Sequence, residues 1–166
     1  TPGSGAKVAK MPQEDVVQMM LEKTVELQSM SSDASACEEA LNLLLTHIPA
    51  ESGSVLLAEG AYLRFTSVRG PHADQLVGVT MPIDSGIAGA VATSGRSLLV
   101  REARKNPQHH QSIDQNINHV TRVLLAVPIQ SGGQVLGVLE LLNPFGNETF
   151  LPWHQNLTKS VAQALA

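Results

Sequence analysis

Hydrophobic positions along the chain change their rhythm at Pro49 and again near the C-terminus, and those changes divide it into elements. From about Gln13 to Met30, Val17, Met20, Leu21, Val25 and Leu27 return at roughly helical spacing, with Glu14, Asp15, Glu22 and Lys23 between them. That pattern predicts an amphipathic helix. A second helix follows Ser31-Ser32-Asp33. Its apolar stripe is Cys37, Ala40, Leu41, Leu44, Leu45 and Ile48, Ser35 and Glu38 stand at capping-box spacing, and His47 and Pro49 mark its end. Beyond Pro49 the period shortens to that of strands. GSVLLAEG and AYLRFTSVRG predict a hairpin about Glu59-Gly60, and VGVTMPI predicts a further short strand. Asp84-Ser85-Gly86 then opens a compact helix, IAGAVATS, closed by Gly95, and Ser97 to Arg101 predicts one more brief strand.

The stretch 104–122, RKNPQHHQSIDQNINHVTR, has too few apolar residues to form core. VTRVLLAVPIQ and QVLGVLELLN, joined by Ser131-Gly132-Gly133, are the two strongest strand signals. Being apolar for most of their length, they are expected inside a sheet, covered on both faces. The final helix starts at Pro152, with Trp153, Leu157, Val161 and Leu165 recurring every four residues. Helices flanking hairpins in this order predict an α+β domain built on an antiparallel sheet.

Composition narrows the class. A chain of 166 residues, 43% apolar, suits a single domain with one substantial core. It is expected over residues 13–166, behind a linker at 1–12 (TPGSGAKVAK and the two residues after it). A linker at the start and the apolar helix SVAQALA at the end suggest a piece of a longer protein. Cys37 is the one cysteine, so no intrachain disulfide exists, and its place on the second helix's stripe favours core packing. The net charge of −4 and an aromatic content of 3% argue against nucleic acid as a partner. No apolar run approaches the ~20 residues of a membrane helix, so no membrane insertion is expected.

The chain resembles the GAF domain family of small-molecule sensors over about residues 35–166. IDSGIAGAVATSGRSLLV is similar to the family's strand-to-helix corner, TRVLLAVPI to its central strand, and QVLGVLELLN to the strand after it. The resemblance implies an antiparallel sheet of about six strands, with N- and C-terminal helices on one face. A helix and loop form a lid over the other, the latter falling at 104–122. It implies a cytoplasmic signalling protein as the parent. Within the family, the phosphodiesterase and cyclase type is most similar, and its ligand contacts carry over to Ser54, Ile87, Ala88, His110, Ile117, Thr121 and Glu140. Glu140 is notable from the residues alone. A carboxylate inside VLGVLELL is costly unless paired or wet, so it is either a pocket group or the partner of a nearby donor. The glycines of the corner read equally as close packing.

Departures from that type are as informative. Its signature places Lys after Asn, and Asp-Glu after Phe, with the Lys and Asp paired beneath the pocket. Here NPFGNETFLPWHQ keeps Asn143 and Phe150 but has Pro144, His154 and Gln155 at the other positions. That ion pair cannot form. Ile117 replaces a lid threonine and Arg69 an aspartate of the second strand.

Two functional readings remain open. The first is a non-catalytic regulatory domain acting through homodimerisation and contacts with other domains of its parent or another signalling protein. Val17, Met20, Leu21, Leu157, Val161 and Leu165 on the terminal helices would form the dimer surface. The second is a small-molecule sensor with no resident cofactor, cyclic nucleotide being one possible ligand. No nucleophile elbow, phosphate loop or paired catalytic carboxylates suggest an enzyme. Free methionine sulfoxide reductases and bilin-binding members of the family need pocket cysteines, which Cys37 does not supply. His109, His110, Asp114 and His119 lack strong metal-site spacing, so no metal is expected. They would, however, make a lid sensitive to pH near 6–7. Arg96, Arg101, Arg104 and Lys105 form a basic cluster, either a solvated edge or an anion-attracting rim.

Overall fold

Residues 33–101 and 121–166 are described by a computed structural model of the chain. The 1–12 linker, the 13–31 helix with Val17, Met20 and Leu21, and the lid residues His109, His110, Asp114, Ile117 and His119 lie outside them. In chain order the elements are α1 (Asp33–His47), β1 (Ala50–Glu59), β2 (Tyr62–Arg69), α2 (Ala73–Leu76), β3 (Thr80–Pro82), α3 (Gly86–Ser94), β4 (Leu98–Arg101), β5 (Val123–Ser131), β6 (Gln134–Pro144) and α4 (Pro152–Leu165). The strands form one six-stranded sheet in the order β3-β2-β1-β6-β5-β4, and every neighbouring pair is antiparallel.

Turn chemistry sets the registers. Glu59 pairs with Tyr62 across a two-residue loop whose first member, Gly60, has φ of 61°. Ser131 pairs with Gln134 across Gly132 and Gly133, at φ 58° and 82°. Two positive φ values are what a type I′ hairpin requires, and its twist matches that of the strands it joins.

Period-two alternation then gives the sheet two unlike faces. On one, Val123, Leu125, Val127 and Ile129 of β5 and Leu139 and Leu141 of β6 meet α1 and α4 in a continuous core. On the other, Leu124, Ala126 and Val138 meet Ile87, Ala88, Val91 and Ala92 of α3, joined by Leu56, Leu63, Phe65 and Met81. The expected architecture is thus observed: the two helices at the ends of the described sheet share one face, and α3 covers the other.

Several expectations need correction. α1 spans Asp33–His47, so Ser35 lies inside it rather than at its first residue. The run VGVTMPI contributes only Thr80–Pro82 as strand, and the one-turn α2 before it had no periodic signal. The α4 stripe does not face outward. Val161 is 0% exposed and Leu157 is buried beside it, both packed in the chain's own core, with Leu165 and Trp153 half-buried against it. Asn156, Lys159, Ser160 and Gln163 form the outer side of α4. Leu157 and Val161 thus cover the sheet of their own subunit.

Candidate functional site

The α3 face carries a polar pair where alternation would put apolar side chains. Ser54 on β1 pairs directly with Glu140 on β6. Glu140 in turn pairs with Ala126 of β5, Ser54 with Val68 of β2, and Ala126 with Leu98 of β4. Val68, Ser54, Glu140, Ala126 and Leu98 thus form one row across five strands. Side chains directly opposite have Cβ atoms about 4.5–5.5 Å apart, close enough for Ser54 and Glu140 to act together. They are 3% and 7% exposed. Burying a carboxylate is costly without hydrogen-bonding partners, and Glu140 is not without a polar interaction.

The roof of this face is the corner before α3. Gly86 has φ of 69°, and Ser85 caps the helix in extended conformation. The first bond of the helix runs from the Gly89 N–H to the Ser85 carbonyl. The N–H groups before it, including those of Ile87 and Ala88, are helix-start donors at the positive end of the helix dipole. Their side chains are buried in the same cluster as Leu56, Val138 and Ala126. Gly89 has a packing role. A Cβ there would lie 2.6 Å from the Asp84 carbonyl carbon and 2.9 Å from the Ile83 oxygen, so the corner closes only around glycine. The close-packing reading thus holds for Gly89, and it leaves the donors of Ile87 and Ala88 as the chemistry of the corner.

Thr121 is buried and lies outside the Ser54–Glu140 strand row. It precedes β5 by two residues and stands five before Ala126, which in extended chain is about 17 Å. His110 and Ile117 lie outside the described residues. Of the seven candidate contacts, the structure therefore joins Ser54 with Glu140 and sets Ile87 and Ala88 over the same face.

Two polar arrangements outside the Ser54–Glu140 row were not anticipated, one at the end of β6 and one at the start of α4. Asn143, with φ of 54°, is the one non-glycine at positive φ among the described residues. Its Oδ1 accepts the main-chain N–H groups of Arg122 and Val123 at 2.7 and 3.1 Å, and its Nδ2 donates to Glu51 at 3.0 Å. Asparagine tolerates this backbone region better than most residues, and its place in the signature segment was the other available signal. The second is His154, noted at first only as a substitution for aspartate. Its Nδ1 accepts the Leu151 N–H at 2.9 Å, closing the start of α4, while Gln155 Nε2 donates to the Phe150 carbonyl at 3.2 Å. The ring sits 4.3 Å from Trp153 and edge-on to Phe150. Burial lowers its pKa below the usual 6.5 and keeps it neutral. His154 and Gln155 thus tie down the start of α4, where the related signature uses an ion pair.

Among the described residues, no group of three or more His, Cys, Asp and Glu is placed to hold a metal, and no helix is long and apolar enough to cross a membrane.

The GAF domain family model matches residues 34–166 of this fold. The chain belongs to the GAF domain family. Among curated relatives, it is 39% identical over 72 residues to the cone cGMP-specific 3',5'-cyclic phosphodiesterase subunit alpha' of Mus musculus. That stretch is 43% of this chain and 8% of the mouse protein. Among solved structures, the GAF domain of a phosphoenolpyruvate-protein phosphotransferase from Coxiella burnetii superposes with a TM-score of 0.79 at 16% identity, over 90% of this chain and 89% of that one. The free methionine-R-sulfoxide reductase of Neisseria meningitidis, solved with its substrate, gives a TM-score of 0.69 at 15% identity, over 93% and 92%. The two structural matches share the fold; the first relative also shares sequence.

Proposed function

We propose that this domain is a non-catalytic sensor of a larger cytoplasmic signalling protein, binding a small molecule on the α3 face of its sheet. The observation that carries this reading is the Ser54–Glu140 pair, set side by side in an otherwise apolar, roofed face. Such a pair suits a ligand that donates hydrogen bonds to a carboxylate. The helix-start donors of α3 suit an anionic group on the same ligand. A purine cyclic nucleotide has both, and the mouse relative's name specifies cGMP. Signal transmission would follow from a shift in the sheet's two faces, since α1 and α4 pack on the other side.

Catalysis of the methionine sulfoxide type is not part of this reading. Cys37 is buried in the α1 core, on the sheet face away from Ser54 and Glu140. Homodimerisation through the terminal helices is a separate proposal: Leu157 and Val161 are covered within one subunit, and the 13–31 helix lies outside the described residues.

The test is calorimetric titration of the 166-residue chain with cyclic GMP and cyclic AMP. Saturable binding in the micromolar range, weakened in Glu140→Gln and in Ser54→Ala, is expected. No heat from either nucleotide at millimolar concentration would overturn the ligand reading.

A further inference from the structure

Resting on the proposed site, we infer that the Ser85 hydroxyl is a further ligand contact, donating to the anionic group received at the start of α3. Serine before a helix ordinarily turns its hydroxyl onto the N–H of the second or third helical residue. Ser85 has the extended backbone of such a cap, at φ −100° and ψ 140°, yet its side chain makes no cap hydrogen bond. Gly86, at φ 69°, is outside helical conformation and turns the chain between Ser85 and the N–H groups of Ile87 and Ala88. The main chain of Ser85 is nonetheless pinned on both sides. Its N–H donates to the Pro82 carbonyl at 3.0 Å, and its carbonyl accepts the Gly89 N–H at 3.0 Å. The residue is held in place while its half-buried side chain stays uncommitted among the described residues.

A second group on the same face is left open in the same way. Ser54 is 3% exposed, and its hydroxyl makes no hydrogen bond among the described residues. Burying a hydroxyl without a partner is costly, so this face is completed by something that brings hydrogen-bonding atoms to it. The two serines belong to elements that meet there: Leu56, two residues after Ser54, shares a buried cluster with Ile87 and Ala88. At the corner itself the donors are the Ile87 and Ala88 N–H groups and the Ser85 O–H. Three donors around one point suit an oxyanion with several acceptor oxygens, such as a phosphodiester. Asp84, next to Ser85, is exposed, so water and salt screen its charge from that anion.

Wild type, Ser85→Ala and Ser85→Asp are compared in the 166-residue chain. Because the hydroxyl makes no cap bond, Ser85→Ala should melt within about 1 °C of wild type, whereas loss of a working cap would lower the midpoint by about 3 °C or more. Cyclic GMP is then titrated by calorimetry. Expected is a loss of affinity of about fivefold or more in Ser85→Ala. In Ser85→Asp, whose carboxylate takes up the donors and repels the anion, the loss should be about tenfold or more. The two phosphorothioate diastereomers of cyclic GMP locate the contact. Sulfur accepts hydrogen bonds poorly, so the diastereomer that turns sulfur toward Ser85 should bind more weakly than the other in wild type. That gap should narrow in Ser85→Ala. Unchanged affinity in Ser85→Ala, or an unchanged gap between the diastereomers, overturns the Ser85 contact while the site reading stands. A midpoint lowered by about 3 °C or more in Ser85→Ala overturns it as well, since the hydroxyl then serves as a structural cap. Absence of cyclic GMP binding in the wild type overturns the site reading, and the contact with it.

Discussion

The two faces of the sheet use the same strands for different purposes. On the α1/α4 face, Val123, Leu125, Val127 and Ile129 of β5 and Leu139 and Leu141 of β6 are all apolar, and two helices seal them. On the α3 face, the even-numbered residues place Glu140 between Val138 and Leu142, opposite Ser54. Hydrophobic burial contributes on both, but only the second also buries a carboxylate, which opposes folding unless partners compensate. A fold selected for stability alone would fill that position with an aliphatic side chain. The contrast sets a face that holds the domain together against the face where recognition is proposed.

The largest expected effect comes from breaking the stability face. Leu139→Ala, at a fully buried position between α1 and α4, should cost about 2–5 kcal/mol in chemical denaturation, leaving ligand affinity unchanged wherever the protein is folded. Gly89→Ala attacks the roof of the other face. Its Cβ would press on the Ile83–Asp84 backbone, costing about 1–3 kcal/mol by thermal or denaturant unfolding and weakening cyclic GMP binding as the corner shifts. Glu140→Gln reverses the pattern of Leu139→Ala. Stability should change by less than about 1.5 kcal/mol, while calorimetry should show affinity lowered about tenfold or more, because a charge-assisted hydrogen bond is lost.

The smallest effect concerns His154 and sharpens the α1/α4 side alone. Its pKa is lowered in the folded state by burial, so the unfolded chain binds the proton more readily. The stability it contributes is present above about pH 6.5, the ordinary histidine value, and is lost as pH falls below it. Asn at this position has an acceptor oxygen to receive the Leu151 N–H but does not titrate. Melting curves of wild type and His154→Asn should therefore converge as the pH is lowered from 7.5 to 5.5, with no change in nucleotide affinity.

Much of the fold was legible because it rests on local rules. Gly60, Gly95, Gly132 and Gly133 occur where positive φ is required, and the apolar runs around them fixed the strands. Helix α2 was not legible, since one turn gives no period. The orientation of α4 was half legible. Its stripe was plain, but whether Leu157 and Val161 met the sheet or a partner depended on tertiary packing. In the site, Glu140 stood out as a charge in an apolar run. Its pairing with Ser54 came from register, which connects residues 86 positions apart and leaves no local trace. The Asn143 hydrogen bonds were hidden for the same reason: their partners Glu51, Arg122 and Val123 are distant in sequence.

Methyl-resolved NMR of the 166-residue chain titrated with cyclic GMP tests the division between the faces most directly. The account predicts shifts concentrated at Ala126, Val138, Ile87 and Ala88, with Leu125, Leu139, Leu157 and Val161 unmoved or following only weakly. Shifts confined to the second group, or none in either, would contradict it.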